Sequence, residues 1–286
     1  TLGGGGYTLE IAKKILPDGK IISIDLDELA INNFKFIILN LKLTNIIIAQ
    51  ENFKNLLVII EKYFAINAKF DGIVIDLGLS SAQLEDQGRG FSFNLPDAPL
   101  SMNFGKAIEE TAENIINGWS AEALVKIFKN YGEEKFAYKI ALALVSERQL
   151  SRIVTIGKLV EIIIKAAPKQ FPSKIHPATK IFQALRMAVN QELENLRAVL
   201  PQAVNLLKTG GKLIVISYHS LEDRIVKQYF KQEAKDCLCP PVMPICQCGH
   251  KASLKILTRS ILRPTEEEVL KNPRSRSAKL RAIERI

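Results

Sequence analysis

Three short apolar runs in this chain end in the same way. "KIISIDLD" stops at Asp25 and Asp27, "FDGIVIDLG" at Asp76, and "GGKLIVISYHS" at Tyr218, His219 and Ser220. Runs of this length, rich in Ile and Val and bounded by Gly, Asp and Ser, read as buried strands. A helix fits residues 27–41, a strand "NIIIAQENF" follows it, and a second helix precedes "FDGIVIDLGLSS". Strand and helix alternate, which predicts a doubly wound α/β sheet. Ligands of such sheets bind at the carboxyl ends of the strands, so Asp25 and Asp76 are expected to face one site.

The chain opens on "TLGGGGYTLEIAKKI". Leu9, Ile11, Ile15 and Leu16 lie near helical spacing, and Pro17-Asp18-Gly19 stops the helix. Each ordered glycine costs backbone entropy, so four in a row before a helix call for a ligand approached closely by backbone N–H groups. Asp25, about 20 residues on, is placed to accept hydrogen bonds from two ribose hydroxyls. A cofactor containing a nucleoside is therefore expected; the plainer reading is a pair of solvated strand-end acids. No Gly-Lys-Ser/Thr follows the glycines, which excludes a P-loop. A glycine loop of this kind normally follows a buried strand, and the expectation is that the sequence given lacks that strand.

From Gly105 to about Ser173 the apolar spacing turns helical throughout, in "AEALVKIFKNYG", "EKFAYKIALALVSERQL" and "TIGKLVEIIIKAAP". This predicts a helical insertion, with domain bounds of 1–104, 105–175 and 176–286. One long helix is expected over 177–207, a helix over "LEDRIVKQYFKQE", and a strand at "SLKILTRSI" before a closing basic segment.

Net charge is +9 over 286 residues, and the cations gather late, in "HKASLKILTRSILRP" and "NPRSRSAKLRAIER". That favours a polyanionic partner. No stretch reaches the roughly 18 apolar residues of a membrane span, and no signal-peptide layout opens the chain. A cytoplasmic protein without a membrane partner is expected; the sequence does not fix the oligomeric state, a dimer being one option.

Four further groups of residues carry chemistry. After Asp76, "RGFSF" offers Arg89, Phe91 and Phe93, a cation and two rings able to stack on a nucleobase, or else core phenylalanines. In "KIHPATKIFQALRMAVNQELENL", Arg186, Asn190 and Glu194 recur every four residues; a solvated helix face is the plainer reading. Glu222, Asp223 and Arg224 open the helix after "VISYHS", and no G-x-S-x-G elbow supports a hydrolase there. Finally, Cys237, Cys239, Cys246 and Cys248 form two C-x-C pairs that could hold zinc, with His250 to spare, although the spacing is tighter than usual; the alternative is a proline-braced loop of reduced thiols.

Taken in order, "GGGGYT", "IDLD", "FDGIVIDLGLSSAQLEDQGRGFSF", "KIHPATKIFQALRMAVNQELENL", "VISYHSLEDRIVK" and "NPRSRSAKLRAIER" resemble the RsmH (MraW) family over essentially the whole chain. The resemblance implies an S-adenosylmethionine-dependent methyltransferase acting on N4 of cytidine 1402 in bacterial 16S ribosomal RNA of the small subunit. It also implies a Rossmann-like sheet interrupted by a helical domain. By the same resemblance Gly5, Gly6 and Tyr7 lie at the methionine end of the cofactor, Asp25 on its ribose and Phe53 near its adenine, with Asp76 and Gln83 completing the pocket. Tyr7 stands where the family usually has His. "APLSMNF" stands for the usual "GPLDMRM", with Ser101 and Asn103 in place of Asp and Arg. The cysteine cluster occurs in some members only.

An exocyclic cytosine amine is a poor nucleophile, so the site must orient it and accept its N–H bonds. Asp76 and the carbonyls of "LGLSS" are the candidates, with His219 as proton acceptor or RNA contact, and Arg89, Phe91, Phe93, Arg186, Asn190 and Arg224 toward the RNA. The target base must leave its stack, which suits a site covered by the helical insertion. Replacing Gly5 with Val is expected to abolish cofactor binding without unfolding the chain. The competing readings are a related RNA or DNA amino-methyltransferase, and an RNA-binding homologue with impaired turnover. A nicotinamide dehydrogenase, which the glycine loop alone would allow, leaves "SYHSLEDR" and "HPATK" unexplained.

Overall fold

The acid-ended apolar runs are parallel strands. In a computed structural model that describes residues 1–105, 108–167, 176–240, 243 and 245–286, the chain divides into two units. Thr1–Gly78 joins Leu193–Ile286 in one, and Leu79–Glu192 is the other.

In the first unit, helix α1 (Gly6–Lys14) leads to strand β1 (Ile21–Asp25), helix α2 (Glu28–Asn40) and strand β2 (Ile46–Gln50). Helix α3 (Leu56–Tyr63) and strand β3 (Phe70–Asp76) follow. Asp27 starts α2 by accepting the Leu29 amide at 3.0 Å, a cap that satisfies one of the helix's orphan donors. β1 and β2 pair in parallel, as a two-stranded sheet.

The second unit is helical. Its helices are α4 (Ser81–Glu85), α5 (Ala112–Gly118), α6 (Ala121–Asn130), α7 (Ala137–Leu150), α8 (Ile156–Ala166) and α9 (Ala178–Asn190). Thr111, Ser120 and Thr155 cap α5, α6 and α8 through their hydroxyls, so each start is written in the sequence. Their apolar faces meet in one core around Ile115, Phe128, Leu144, Leu159 and Leu185. Phe91, Ala98, Leu100 and Met102 are buried in that same core, as are Ile181 and Leu185 of α9. The unit therefore starts at Leu79 and ends at Glu192, wider on both sides than the expected 105–175. The upstream loop and α9 bury their apolar groups among these helices. Residues 168–175, on which the expected end of the insertion falls, lie outside the described residues.

The long helix expected over 177–207 is two. Gln191 adopts φ 51°, a left-handed conformation costing about 1–2 kcal/mol outside glycine. Across the break Arg186 grips Glu192 with two bonds, Nε to Oε1 at 2.7 Å and Nη2 to Oε2 at 2.9 Å.

Beyond the break the first unit resumes with α10 (Glu192–Leu206), strand β4 (Leu207–Ser217) and α11 (Ser220–Glu233). Strand β5 (Leu254–Ile256), helix α12 (Glu266–Lys271) and strand β6 (Lys279–Arg285) complete it. Their sheet runs β3-β4-β6-β5, with β3 and β4 parallel and β6 antiparallel to both its neighbours. The basic closing segment is thus partly a strand. Arg281 on β6 holds Asp223 through two bonds of 2.7 and 3.1 Å, and Arg285 donates to the Ser253 carbonyl at 3.0 Å. Those two cations are spent inside the fold. Ile24, Ala49, Ile75, Leu200, Val215, Phe230 and Ile283 share one core, which joins the two sheets to α3, α10 and α11. Among the described residues no helix is long and apolar enough to cross a membrane.

Asn190 holds the second unit's loop to α9. It is 3% exposed, accepts the Phe104 amide at 2.8 Å and donates to the Met102 and Arg186 carbonyls at 2.7 and 2.8 Å. Asn190→Ala leaves those buried groups unpaired and is expected to cost about 2 kcal/mol or more in chemical denaturation. A loss below about 0.5 kcal/mol would show that these bonds do not hold the loop.

Candidate active site

The carboxyl ends of β1, β2, β3 and β4 carry Asp25, the Gln50–Phe53 turn, Asp76 and Tyr218-His219. The glycine run lies among them. Gly3 and Gly5 take φ 51° and 79°, turns that favour glycine. The Leu2 and Gly3 amides donate to Asp25 Oδ2 at 3.1 and 2.8 Å, and the Asp27 amide donates to Oδ1 at 3.0 Å. Three of the roughly four acceptor positions of that carboxylate are thus used by backbone. Asp25 ties the glycine loop to the end of β1, and the capacity it retains for a ligand hydroxyl is smaller than two free oxygens would give.

The loop opens α1 without a side-chain cap. Its first helical bond runs from the Leu9 amide to the Gly5 carbonyl, leaving the Gly6, Tyr7 and Thr8 amides ahead of it, at the positive end of the helix. A Cβ on Gly4 or Gly6 would meet nothing within 4 Å. Gly5 differs: a Cβ there would sit 2.2 Å from the Phe34 ring of α2, which is 1% exposed. Replacing Gly5 with Val therefore disturbs packing as well as any ligand, contrary to the expectation from sequence. Tyr7, 49% exposed in the first turn of α1, has its phenol pushed up by burial, with the charges of Asp76 and Glu268 adding to it.

Asp76 is a perturbed acid at this edge. Burial pushes its carboxyl up, and the hydrogen bond from Tyr218 partly opposes this. The Tyr218 hydroxyl donates to Asp76 Oδ1 at 3.1 Å, and burial with the adjacent Asp76 charge keeps that phenol protonated far above its ordinary range. Gly78, φ 90°, leaves room for the ring: a Cβ would lie 3.3 Å from it. The Thr1 hydroxyl bonds to both the amide and the carbonyl of Asp76. Glu222, 2% exposed, accepts the Tyr218 amide at 3.0 Å and so fixes the turn that presents the tyrosine. Tyr218 and Glu222 received no role from sequence; the signal available was their position at the end of the third apolar run.

His219 is the N-cap of α11. Its Nδ1 accepts the Glu222 amide at 3.4 Å while Glu222 reaches back to the His219 amide, a reciprocal capping box. Nε2 is buried, 3.1 Å from Glu222 Oε1 but out of hydrogen-bond alignment. The ring is committed to the helix start, which leaves its Nδ1 occupied by the Glu222 amide. Phe53 begins a short 3-10 turn after β2 and packs partly into the core. Arg224 is exposed in the first turn of α11.

The candidates in the helical unit are mostly structural. Gln83 is 8% exposed and closes a capping box with Ser80 at the start of α4, not an open contact. Phe91 is 6% exposed in the helical core, 5.6 Å from Phe104. Phe93 stacks on His176 at 4.7 Å and meets Phe182 edge-on. Arg89 pairs with Asp86 at 3.2 Å, Arg186 with Glu192, and Asn190 with backbone. Core packing explains the two phenylalanines, and the break at Gln191 removes Glu194 from the face of Arg186 and Asn190. Ser101 donates to Asn103 at 3.1 Å, so the two departures from the family pattern satisfy one another.

A carboxyl raised in the folded state holds its proton more tightly there than in the unfolded chain. Its contribution to stability is therefore lost as pH rises through the folded value, starting from 3.8. Asp76→Asn removes that cost and keeps an acceptor for Tyr218. The variant should melt above the wild type at neutral pH, with the gap closing as pH falls toward about 4. A gap that widens on acidification would contradict this reading of Asp76.

Comparison with known proteins shows the family. The model of the MraW methylase family matches residues 1–286. The ribosomal RNA small subunit methyltransferase H of Thermomicrobium roseum is 47% identical over 286 residues, 100% of this chain and 86% of that protein. The protein of the same name from Clostridium botulinum (Loch Maree) is 46% identical, over 100% of this chain and 91% of its own. Among solved structures, an rRNA methylase from Streptococcus thermophilus covers 100% of this chain and 83% of its own at 10% identity, with a TM-score of 0.41, too low to add to the assignment. An uncapped glycine-opened helix beside two strand-end acids, in a chain matched from end to end, leaves one conclusion: the chain belongs to the MraW methylase family.

Proposed function

We propose that this protein transfers a methyl group from S-adenosylmethionine to N4 of cytidine 1402 in 16S ribosomal RNA of the small subunit, in the cytoplasm. Membership of a methylase family and relatives named as small-subunit rRNA methyltransferases support the reaction class and the substrate. The observation that carries the site is the glycine-opened start of α1, set between Asp25 and Asp76.

The residues there fit the cofactor. Open space over Gly4 and Gly6 and the uncapped amides of Gly6, Tyr7 and Thr8 suit a carboxylate such as that of its methionine end. Asp25 would take a ribose hydroxyl with its remaining acceptor capacity, and Phe53 would lie against the adenine. Bound there, the cofactor supplies an electrophilic methyl group. Asp76 would accept an N–H of the exocyclic amine and take its proton at Oδ2, while Tyr218 keeps Oδ1 oriented. A carboxyl whose value is raised by burial is better matched to accepting a proton near neutrality than a solvated one.

The exposed cations Lys251, Lys255, Arg259, Arg263, Arg274, Arg276 and Arg224 supply the charge that RNA phosphates call for. The bond between Ser101 and Asn103 favours a second reading, an RNA-binding homologue of impaired turnover, because an acid and a cation expected beside the substrate are absent. Labelled S-adenosylmethionine and small subunits from cells lacking this modification separate the two. Label at N4 of cytidine 1402 is the expected outcome; a folded protein that binds subunits and transfers nothing would overturn it.

Two glycine variants test the cofactor cradle. Gly4→Val puts bulk into open space and should weaken S-adenosylhomocysteine binding at least about tenfold with an unchanged melting temperature. Gly5→Ala should instead lower stability by about 1–3 kcal/mol, through the left-handed backbone and the Phe34 ring. Normal binding by the Gly4 variant would remove the cradle from that loop.

A further inference from the structure

Between α11 and β5 the chain runs through residues 234–253 with no helix or strand among those described. Connections this long are uncommon unless something other than secondary structure orders them. Apolar burial does not: Leu238, Met243 and Ile245 are 38%, 37% and 74% exposed. The base of the loop is closed by the Ser253 amide on the Glu233 carbonyl at 2.9 Å. At its far end four sulfurs converge.

Cys237 Sγ lies 3.4 Å from Cys246 Sγ and 3.8 Å from Cys248 Sγ, and the last two are 3.6 Å apart. With Cys239, all four sulfurs lie within 4.8 Å of one another, and none is in a disulfide. Four thiolates at about 2.3 Å from one zinc ion stand about 3.8 Å from each other, so the cluster has the size of a tetrahedral S4 site.

The backbone around it is independently suited to thiolates. The Leu238 amide donates to Cys248 Sγ at 3.3 Å, and the Gln247 amide donates to Cys239 Sγ at 3.4 Å. The middle residue of each C-x-C thus serves the last cysteine of the other pair, a reciprocal arrangement. The Cys239 amide adds a bond to Cys237 Sγ at 3.4 Å. Neutral thiols are weak acceptors, whereas amides aimed at sulfur neutralise charge around a bound metal.

We propose that Cys237, Cys239, Cys246 and Cys248 bind one zinc ion in a closed structural site that orders the connection between α11 and β5. The tight C-x-C spacing is met because the ligands come as two facing pairs and not from one turn. Binding releases the remaining thiol protons to solvent and leaves no open coordination position, so the ion braces the loop and takes no part in methyl transfer.

The test is elemental analysis of protein purified without added metal. The expected result is one zinc per chain, lost at least about tenfold in Cys237→Ser/Cys248→Ser. If that variant does not fold, chelator-stripped wild type serves instead. Cobalt(II) added to it should give the thiolate charge-transfer and intense visible bands of tetrahedral coordination, and its four thiols should pass from protected to reactive on stripping. Iron in place of zinc, disulfides seen by mass, or four freely reactive thiols with zinc below about 0.1 per chain would each overturn the proposal.

Discussion

The carboxylate of Asp25 is the contact on which the strand-end edge of the α/β unit depends. It accepts the Leu2, Gly3 and Asp27 amides at once and so fixes where the glycine run leaves the sheet. From that anchor the helix start follows: Gly5 packs against Phe34, and the amides of the first turn are left without a cap. Hydrogen bonds to an ionised acceptor are about twice as strong as neutral ones, which suits a loop of four glycines that brings no side-chain contacts of its own. The acid that sequence reading reserved for a ligand first holds the loop in place.

A second chain of contacts presents Asp76. Glu222 holds the Tyr218 amide, Tyr218 donates to Asp76, and Gly78 leaves room for the tyrosine ring. Three strand ends or helix starts are coupled through these bonds. Arg281 on Asp223 ties β6 to the same helix α11, so an antiparallel strand built from the basic tail braces the turn that carries Tyr218. In the proposed reaction, electrostatic preorganisation of this kind would present Asp76 to the amine nucleophile with little reorganisation left for the moment of reaction.

The parts of the fold readable in the sequence were those with a strong local signal. Apolar runs ended by Asp25 and Asp76 gave the parallel strands, and apolar residues at helical spacing marked α6, α7 and α8. β6 escaped notice because Lys279, Arg281, Glu284 and Arg285 interrupt its apolar pattern, leaving only Leu280, Ala282 and Ile283 to show it. The break at Gln191 carries neither glycine nor proline, and it is the Arg186–Glu192 pair across it that identifies the turn. Phe91, Phe93 and Asn190 were ambiguous for a physical reason: rings and amides suited to a nucleobase are also suited to a core, and only burial separates the two. Gln83 and His219 followed the same pattern, each having the chemistry of a site residue and the use of a helix cap.

The glycine-opened start of α1 and the ends of β1 and β3 are proposed to form the cofactor site. A crystal structure with S-adenosylhomocysteine tests it directly. The expected result is the amino-acid end of the ligand on the Gly6–Thr8 amides, the ribose within hydrogen-bond reach of Asp25 and the sulfur near Asp76. Ligand bound elsewhere, with the glycine loop unchanged and Asp76 out of reach of its sulfur, would contradict it.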